Sequence, residues 1–313
     1  MRRTEVRDGL ALPTDRIICG DSRKVLKTFP ENSIHLIISD IPYGIALDEW
    51  DVLHKNTNSA LLGQSPAQRT AGKVFRRRGK PINGWSDADK EIPREYQEWV
   101  STWAAEWHRV LKPGGSAIVF AGRRYAARCI VAMEEAGFNF RDMLSWYRPR
   151  AVHKAQRANI VFEKRKDLKQ ARNWLGWRLG NLRPNFEPIL WFFKSYRITI
   201  ADNLLEHEVG AYNEQALVKW FGSPSNALEV DHGPEDRGLH QAQKPLRLIC
   251  GLIEMVTRPH QLVLDPFAGS GTSGVAAKLT NRKYILIEQS DILCNSIKSR
   301  MANPVQLCLE ETS

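Results

Sequence analysis

Short, unbroken apolar runs alternate along this chain with longer stretches in which apolar residues recur every three or four positions. A continuous run between turn signals suits a strand buried on both faces, whereas the longer spacing suits a helix with one buried stripe. The pattern predicts strands at 16–21, 33–39, 116–122, 143–148, 261–265 and 283–288. It predicts helices at 22–29, 96–111, 124–137, 245–257 and 273–280. The third of these strands follows Lys112-Pro113-Gly114-Gly115, a proline/glycine helix exit. Strand and helix in alternation indicate an α/β protein, with a doubly wound, mostly parallel, Rossmann-like sheet.

Two segments break that rhythm. Residues 49–92 lack an apolar period, include "KVFRRRGKPINGW", and read as a long, mobile, basic loop. Residues 148–237 mix basic, aromatic and turn residues and read as a separate subdomain. What remains is a discontinuous core domain over 10–48, 93–147 and 238–302, with tails at 1–9 and 303–313.

Charge sharpens this division. The net charge is +10, and residues 141–200 alone hold 14 Lys/Arg against 4 Asp/Glu, so the rest is balanced. The same segment carries Trp146, Tyr147, Trp174, Trp177 and Trp191. Basic side chains interleaved with rings suit a polyanion whose bases can be stacked upon, although a solvated basic face has the same composition. The five cysteines are scattered, with no C-x-x-C pair, so neither a disulfide framework nor a zinc site is expected. That usage points to a reducing, cytoplasmic compartment. His153, His207, His232 and His240 form no H-E-x-x-H pair, so no metal is expected. No apolar run approaches the roughly 18 residues of a membrane helix, and the first residues lack the apolar core of a signal peptide.

Two loops carry the candidate chemistry. After the strand at 33–39 comes Ser39-Asp40-Ile41-Pro42-Tyr43-Gly44, where a plain turn has no use for a tyrosine. After the strand at 261–265 comes Pro266-Phe267-Ala268-Gly269-Ser270-Gly271-Thr272-Ser273-Gly274, which matches G-x-G-x-x-G, and Glu288 ends the next strand. Glycines admit a close backbone approach, the helix N-terminus favours an anionic group, and the acidic residue suits ribose hydroxyls. The spacing alone does not choose between a nicotinamide cofactor and S-adenosylmethionine, or exclude a tight turn.

The combination does choose. Asp265-Pro266-Phe267 with Gly269, Gly271 and Thr272 resembles the S-adenosylmethionine loop of amino-methylating DNA methyltransferases. Asp40-Ile41-Pro42-Tyr43 resembles their catalytic D-P-P-Y tetrapeptide, with Ile41 in place of the first proline. Residues 17–40, "RVLKPGG" and "HQAQKPLRLICGLIEMV" look like further landmarks. The order, catalytic motif first, is that of the circularly permuted beta class.

The resemblance implies methyl transfer from S-adenosylmethionine to adenine N6 of a base flipped out of double-stranded DNA. The alternatives are cytosine N4 as acceptor, or a catalytically inactive DNA-binding module. It assigns Asp40 and the Ile41 carbonyl as acceptors for the amino group, Pro42 as the turn former and Tyr43 as a stacking ring. It places Asp265, Phe267, Gly269, Gly271, Thr272 and Glu288 around the cofactor, with Asp21 toward the adenine moiety and Lys244 at the carboxylate. Asp21 could instead cap the helix that follows it, and Lys244 could be an ordinary exposed lysine. Specificity is expected from 148–237 as a target-recognition region. There Arg148, Arg150, Lys154, Arg157 and the 164–169 cluster would meet phosphates, and Arg76, Arg77 and Arg78 would clamp the flanking backbone. The resemblance also allows a homodimer and a cognate restriction endonuclease as partner.

Overall fold

A computed structural model describes residues 12–43, 87–148, 155–236 and 243–302. The chain runs β1 (Arg16–Cys19), α1 (Ser22–Val25) with a 3-10 turn over Leu26–Thr28, β2 (Ile34–Asp40), α2 (Asp87–Val110), β3 (Leu111–Phe120), α3 (Ala126–Glu135) and β4 (Phe138–Tyr147). It continues through β5 (Gln156–Arg157), α4 (Ala158–Lys164), α5 (Leu168–Asn173), β6 (Arg178–Leu179), β7 (Phe186–Lys194), α6 (Ile200–His207) and α7 (Glu214–Phe221). The last elements are β8 (Ala227–Glu229), α8 (Leu246–Val256), β9 (Leu262–Asp265), α9 (Thr272–Leu279), β10 (Lys283–Glu288) and α10 (Asp291–Ala302).

Eight strands form one sheet in the order β1-β10-β9-β2-β3-β7-β4-β8. From β1 to β3 every pairing is parallel; β7 lies antiparallel between β3 and β4, and β8 returns parallel to β4. Successive residues of each strand face opposite sides, so the continuous apolar runs feed two cores. On β2, Ile37 packs in the layer of α2 and α3 with Val100, Trp107 and Met133. Leu36 and Ile38 pack in the opposite layer, with Leu248 and Leu252 of α8 and Ala276 of α9.

This topology positions the site. Beyond β9 the chain crosses to β10 on one side, and beyond β2 it crosses to β3 on the other. The sheet therefore opens a crevice at the carboxyl ends of β9 and β2, where a doubly wound sheet binds ligands.

Several sequence expectations change. Helix α2 starts at Asp87 and takes in Pro93, so the basic segment is shorter than 49–92. Residues 44–86, with Arg76, Arg77 and Arg78, lie outside the described residues, as do Arg150 and Lys154. Strand β3 begins at Leu111 and absorbs the proline/glycine exit as a register shift, Ile34 opposing Leu111 and Leu36 opposing Ser116. The expected separate subdomain over 148–237 is smaller too. Its run "FEPILWFFK" enters the main sheet as β7, β8 joins β4, and α7 packs on α8. Composition concealed this, because basic residues flank an apolar strand. Only 155–185 stays apart, a two-stranded β5–β6 ribbon with α4 packed on α5. Helix α10 escaped the pattern because its buried face is just Cys294, Ile297 and Met301.

The expectation of no disulfide is also corrected. Cys19 and Cys294 are bonded, 275 residues apart in sequence, with Cα atoms 6.1 Å apart. Helix α10 folds back on β1, and no local spacing announces that contact. Among the described residues no helix is long and apolar enough to cross a membrane, and no cluster of metal-ligating side chains occurs.

Candidate active site

The loops leaving β1, β2, β9 and β10 surround a cavity of about 340 Å³ at this crevice. Small-ligand sites run from roughly 300 to 1,000 Å³, so it can take a small cofactor or metabolite. Asp265 joins two of these loops. Its Oδ1 accepts from Ser39 Oγ at 2.7 Å and from the Phe267 amide at 3.1 Å, and its Oδ2 from Ser273 Oγ at 2.5 Å. Burial pushes its carboxyl up to about 6 against the pull of those donors. Expected beside the cofactor, Asp265 lines the cavity and already accepts from three protein donors.

The glycine loop is shaped by close contacts. Gly271 has φ +77°, and a Cβ there would lie 2.8 Å from Ile297 Cγ2. Gly269 donates its amide to Glu288 Oε2 and Ser290 to Oε1, both at 2.9 Å, which fixes the Glu288 carboxylate at the cavity edge. Phe267 meets Trp99, Trp103 and Trp107 of α2, with ring centroids 5.8, 5.8 and 6.1 Å away. Trp99 and Trp103 also line the cavity, a contribution that reading only the loops missed. Asp21 both lines the cavity and caps α1, accepting from the Arg23 amide at 2.9 Å and from its guanidinium at 2.7 Å. The Arg23 hydrogen bonds hold its carboxyl below the usual range.

At the other end, Ile41 is 1 % exposed and packs in the core beneath α2 and α3. Its departure from proline is accommodated by that apolar bed. Tyr96 donates to the Pro42 carbonyl at 3.3 Å, fastening the turn from α2. Asp40 pairs through Oδ2 with Lys244 Nζ at 2.5 Å. Lys244 was expected at a cofactor carboxylate; it lines the cavity, but its ammonium is on Asp40. The other oxygen, Asp40 Oδ1, is buried and accepts no hydrogen bond from the described residues. Burial raises the Asp40 carboxyl despite the adjacent Lys244.

The Tyr43 hydroxyl donates to Glu187 Oε2 at 3.4 Å. Burial, then the Asp40 and Glu187 charges, keep that phenol protonated. Glu187, on β7, also pairs with Arg148, whose guanidinium lies 4.5 Å over the Trp146 ring. Arg148, expected on DNA phosphates, is partly exposed and in this structure pairs with Glu187. Glu187 itself went unnoticed; the one available signal was an acidic residue opening an apolar strand. Arg157 and the 164–169 cluster are exposed on the β5–β6 unit.

The residues lining the cavity thus include several with buried polar atoms that lack partners among the described residues, Asp40 Oδ1 among them, with the Tyr43 hydroxyl close to the Asp40 carboxylate. Trp103 Nε1 and Gln243 Oε1, both on residues lining it, are buried without hydrogen-bond partners among the described residues. They suit a ligand with a hydrogen-bond acceptor for the indole and a donor for the amide oxygen. Residues 34–299 match the family model described as DNA methylase, which covers N6 and N4 methyltransferases, and the chain belongs to that family. Its sequence is 54% identical over 294 residues to the type II methyltransferase M.HindIII of Haemophilus influenzae, covering 92% of this chain and 95% of that one. It is 26% identical to the type II methyltransferase M.HinfI of Haemophilus influenzae, covering 91% and 67%. Among solved structures, the cytosine-N4-specific PvuII DNA methyltransferase superposes with a TM-score of 0.60 at 19% identity, covering 93% of this chain and 87% of that one. A Thermus thermophilus protein, solved in complex with S-adenosyl-L-methionine, superposes with a TM-score of 0.56 at 20% identity, covering 92% and 93%.

Proposed function

We infer that this DNA methylase transfers a methyl group from S-adenosylmethionine to N6 of an adenine flipped out of double-stranded DNA. The observation that carries the reading is Asp40 Oδ1, a buried acceptor that makes no hydrogen bond among the described residues, on a residue that lines the cavity. When bound, S-adenosylmethionine supplies an electrophilic methyl group on its sulfonium. Phe267, the Gly269–Thr272 loop and Glu288 would hold it, with Asp21 and Trp103 at its periphery.

An exocyclic amino nitrogen is a poor nucleophile because its lone pair is delocalised into the ring. Asp40 Oδ1 accepts one of its N–H bonds and the Ile41 carbonyl the other, which turns the lone pair toward the methyl group. The same acceptors stabilise the positive charge that grows on nitrogen as the new bond forms. Tyr43 gives the base a face to stack on, which offsets part of the few kcal/mol that leaving the duplex costs. The methylated nitrogen then releases a proton, which Asp40 can accept and pass to water. An aspartate at the head of the tetrapeptide favours adenine; cytosine N4 is the second reading, since the family covers both bases.

Exposed Arg157, Lys164, Arg165, Lys166 and Lys169 suit phosphates, and Trp177, 62 % exposed, suits a base face. A methylated site of this kind would be protected from a cognate restriction endonuclease.

The test is nucleoside mass spectrometry on unmethylated DNA incubated with the chain and S-adenosylmethionine. N6-methyladenine should form, and Asp40→Ala should lower its rate at least about 100-fold. N4-methylcytosine in its place would move the reading to the second base. An unchanged rate in the variant would remove Asp40 from the chemistry.

A further inference from the structure

Glu187 reaches the site from β7, the antiparallel strand inserted beside β3. Lys244 lies between two carboxylates, 2.5 Å from Asp40 Oδ2 and 3.9 Å from Glu187 Oε2. Its side chain is only 7% exposed and its ammonium sits 5.3 Å from the faces of both Tyr43 and Phe120. A buried ammonium between rings has few places to go, and the structure offers it two. Arg148 holds Glu187 Oε1, which leaves Oε2 turned toward Lys244 and the Tyr43 hydroxyl.

The resting arrangement works against catalysis. A cation at hydrogen-bond distance from Asp40 offsets the negative charge that must attract the target amino group and stabilise its growing positive charge. Such an interaction weakens with distance, so moving the cation one side chain away strengthens Asp40 as an acceptor. The cation cannot simply leave, since an unpaired buried charge is costly. A second carboxylate within reach solves both problems.

We propose that Glu187 is a positioning residue for methyl transfer, the second seat of Lys244. As the target amino group engages Asp40, the ammonium passes to Glu187 and leaves the Asp40 charge to the base. No covalent bond changes in this hand-off and no proton moves. Because Glu187 also holds the Tyr43 hydroxyl, stacking of the base and relocation of the ammonium act on one carboxylate. The inference rests on reading Asp40 as the amino-group acceptor.

Glu187→Gln keeps the size and an acceptor for Tyr43 but removes the anionic seat. At saturating S-adenosylmethionine and DNA, its single-turnover methylation rate should fall about 10- to 100-fold. Affinities for both should stay within about twofold, and 2-aminopurine at the target position should still brighten on binding. Glu187→Asp should recover part of the rate. The charged and titratable groups facing Asp40 are Lys244, Glu187, Tyr43 and Asp265. Removing the Glu187 charge should therefore shift the acid limb of the rate profile to lower pH.

A Glu187→Gln rate within about threefold of wild type overturns the hand-off alone. So does equal loss of cofactor or DNA binding in both variants, which marks a merely structural role. A wild-type chain that binds both ligands but methylates no base, with Asp40→Ala equally silent, overturns the acceptor role and the hand-off with it.

Discussion

Asp265 accepts three hydrogen bonds where β9 meets β2, from two serine hydroxyls and one backbone amide. One of those serines, Ser39, immediately precedes Asp40, and the other, Ser273, lies in the first turn of α9. A single carboxylate therefore ties the turn at Asp40 to the glycine loop. Asp265→Asn leaves one acceptor oxygen and turns an amide donor toward a hydroxyl. Losing a buried hydrogen bond to a charged group costs about 1–3 kcal/mol. We expect urea denaturation to show a loss of that order, and calorimetry to show weaker S-adenosylmethionine binding. An unchanged affinity would mean that the two loops hold their spacing without this bridge. At the same scale, Ile41 shows why the departure from proline is tolerated: its side chain belongs to the core, and Tyr96 fastens the turn one residue later.

Helix α9 depends on a residue outside it. Gly271 is its N-cap, in the left-handed region at φ +77°, with α10 close behind. Alanine there meets a backbone cost of roughly 1–2 kcal/mol and a clash with Ile297. Gly271→Ala should destabilise the fold and weaken cofactor binding at least about 10-fold, which titration calorimetry would read directly. Wild-type affinity would show that the loop relaxes freely. The glycine loop was legible in the sequence because its chemistry is local: a turn, a helix start and an acidic strand end at fixed spacing. The parallel strands were legible for the same reason, with β10 found at its observed bounds. The tertiary features were not. No local pattern could show that Lys244, read as a cofactor contact, also meets Asp40, 204 residues away in sequence. Glu187 and Arg148 became a pair only when β7 and β4 lay side by side.

One buried group, Asp265, and one partly buried group, His35, oppose each other in the response of the whole molecule to acid. Asp265 titrates at about 6 in the folded chain against the ordinary 3.8, so between these values the folded chain holds the extra proton. Its contribution to stability is present below about pH 4 and lost as pH rises through 6. His35 behaves in reverse: burial, then Lys112, holds it at about 4 against 6.5, so the unfolded chain takes the proton first. That contribution is present above pH 6.5 and lost as pH falls through 4. Compared with wild type, Asp265→Asn should lose more stability between pH 7 and 4.5, and His35→Gln should lose less, judged by urea midpoints. Parallel curves for all three would show that neither group governs this window. The molecule divides in another respect. Among the described residues, the strands of the β5–β6 unit pair only with each other, and none of 155–185 lines the cavity. On the function proposed above, the segment that would hold DNA and the residues that would move a methyl group therefore share no wall of the cavity. Substitutions within 155–185 would then change which duplex is held and leave the seat for the base as it is. Such a layout would let a lineage acquire new addresses on DNA without re-evolving its chemistry.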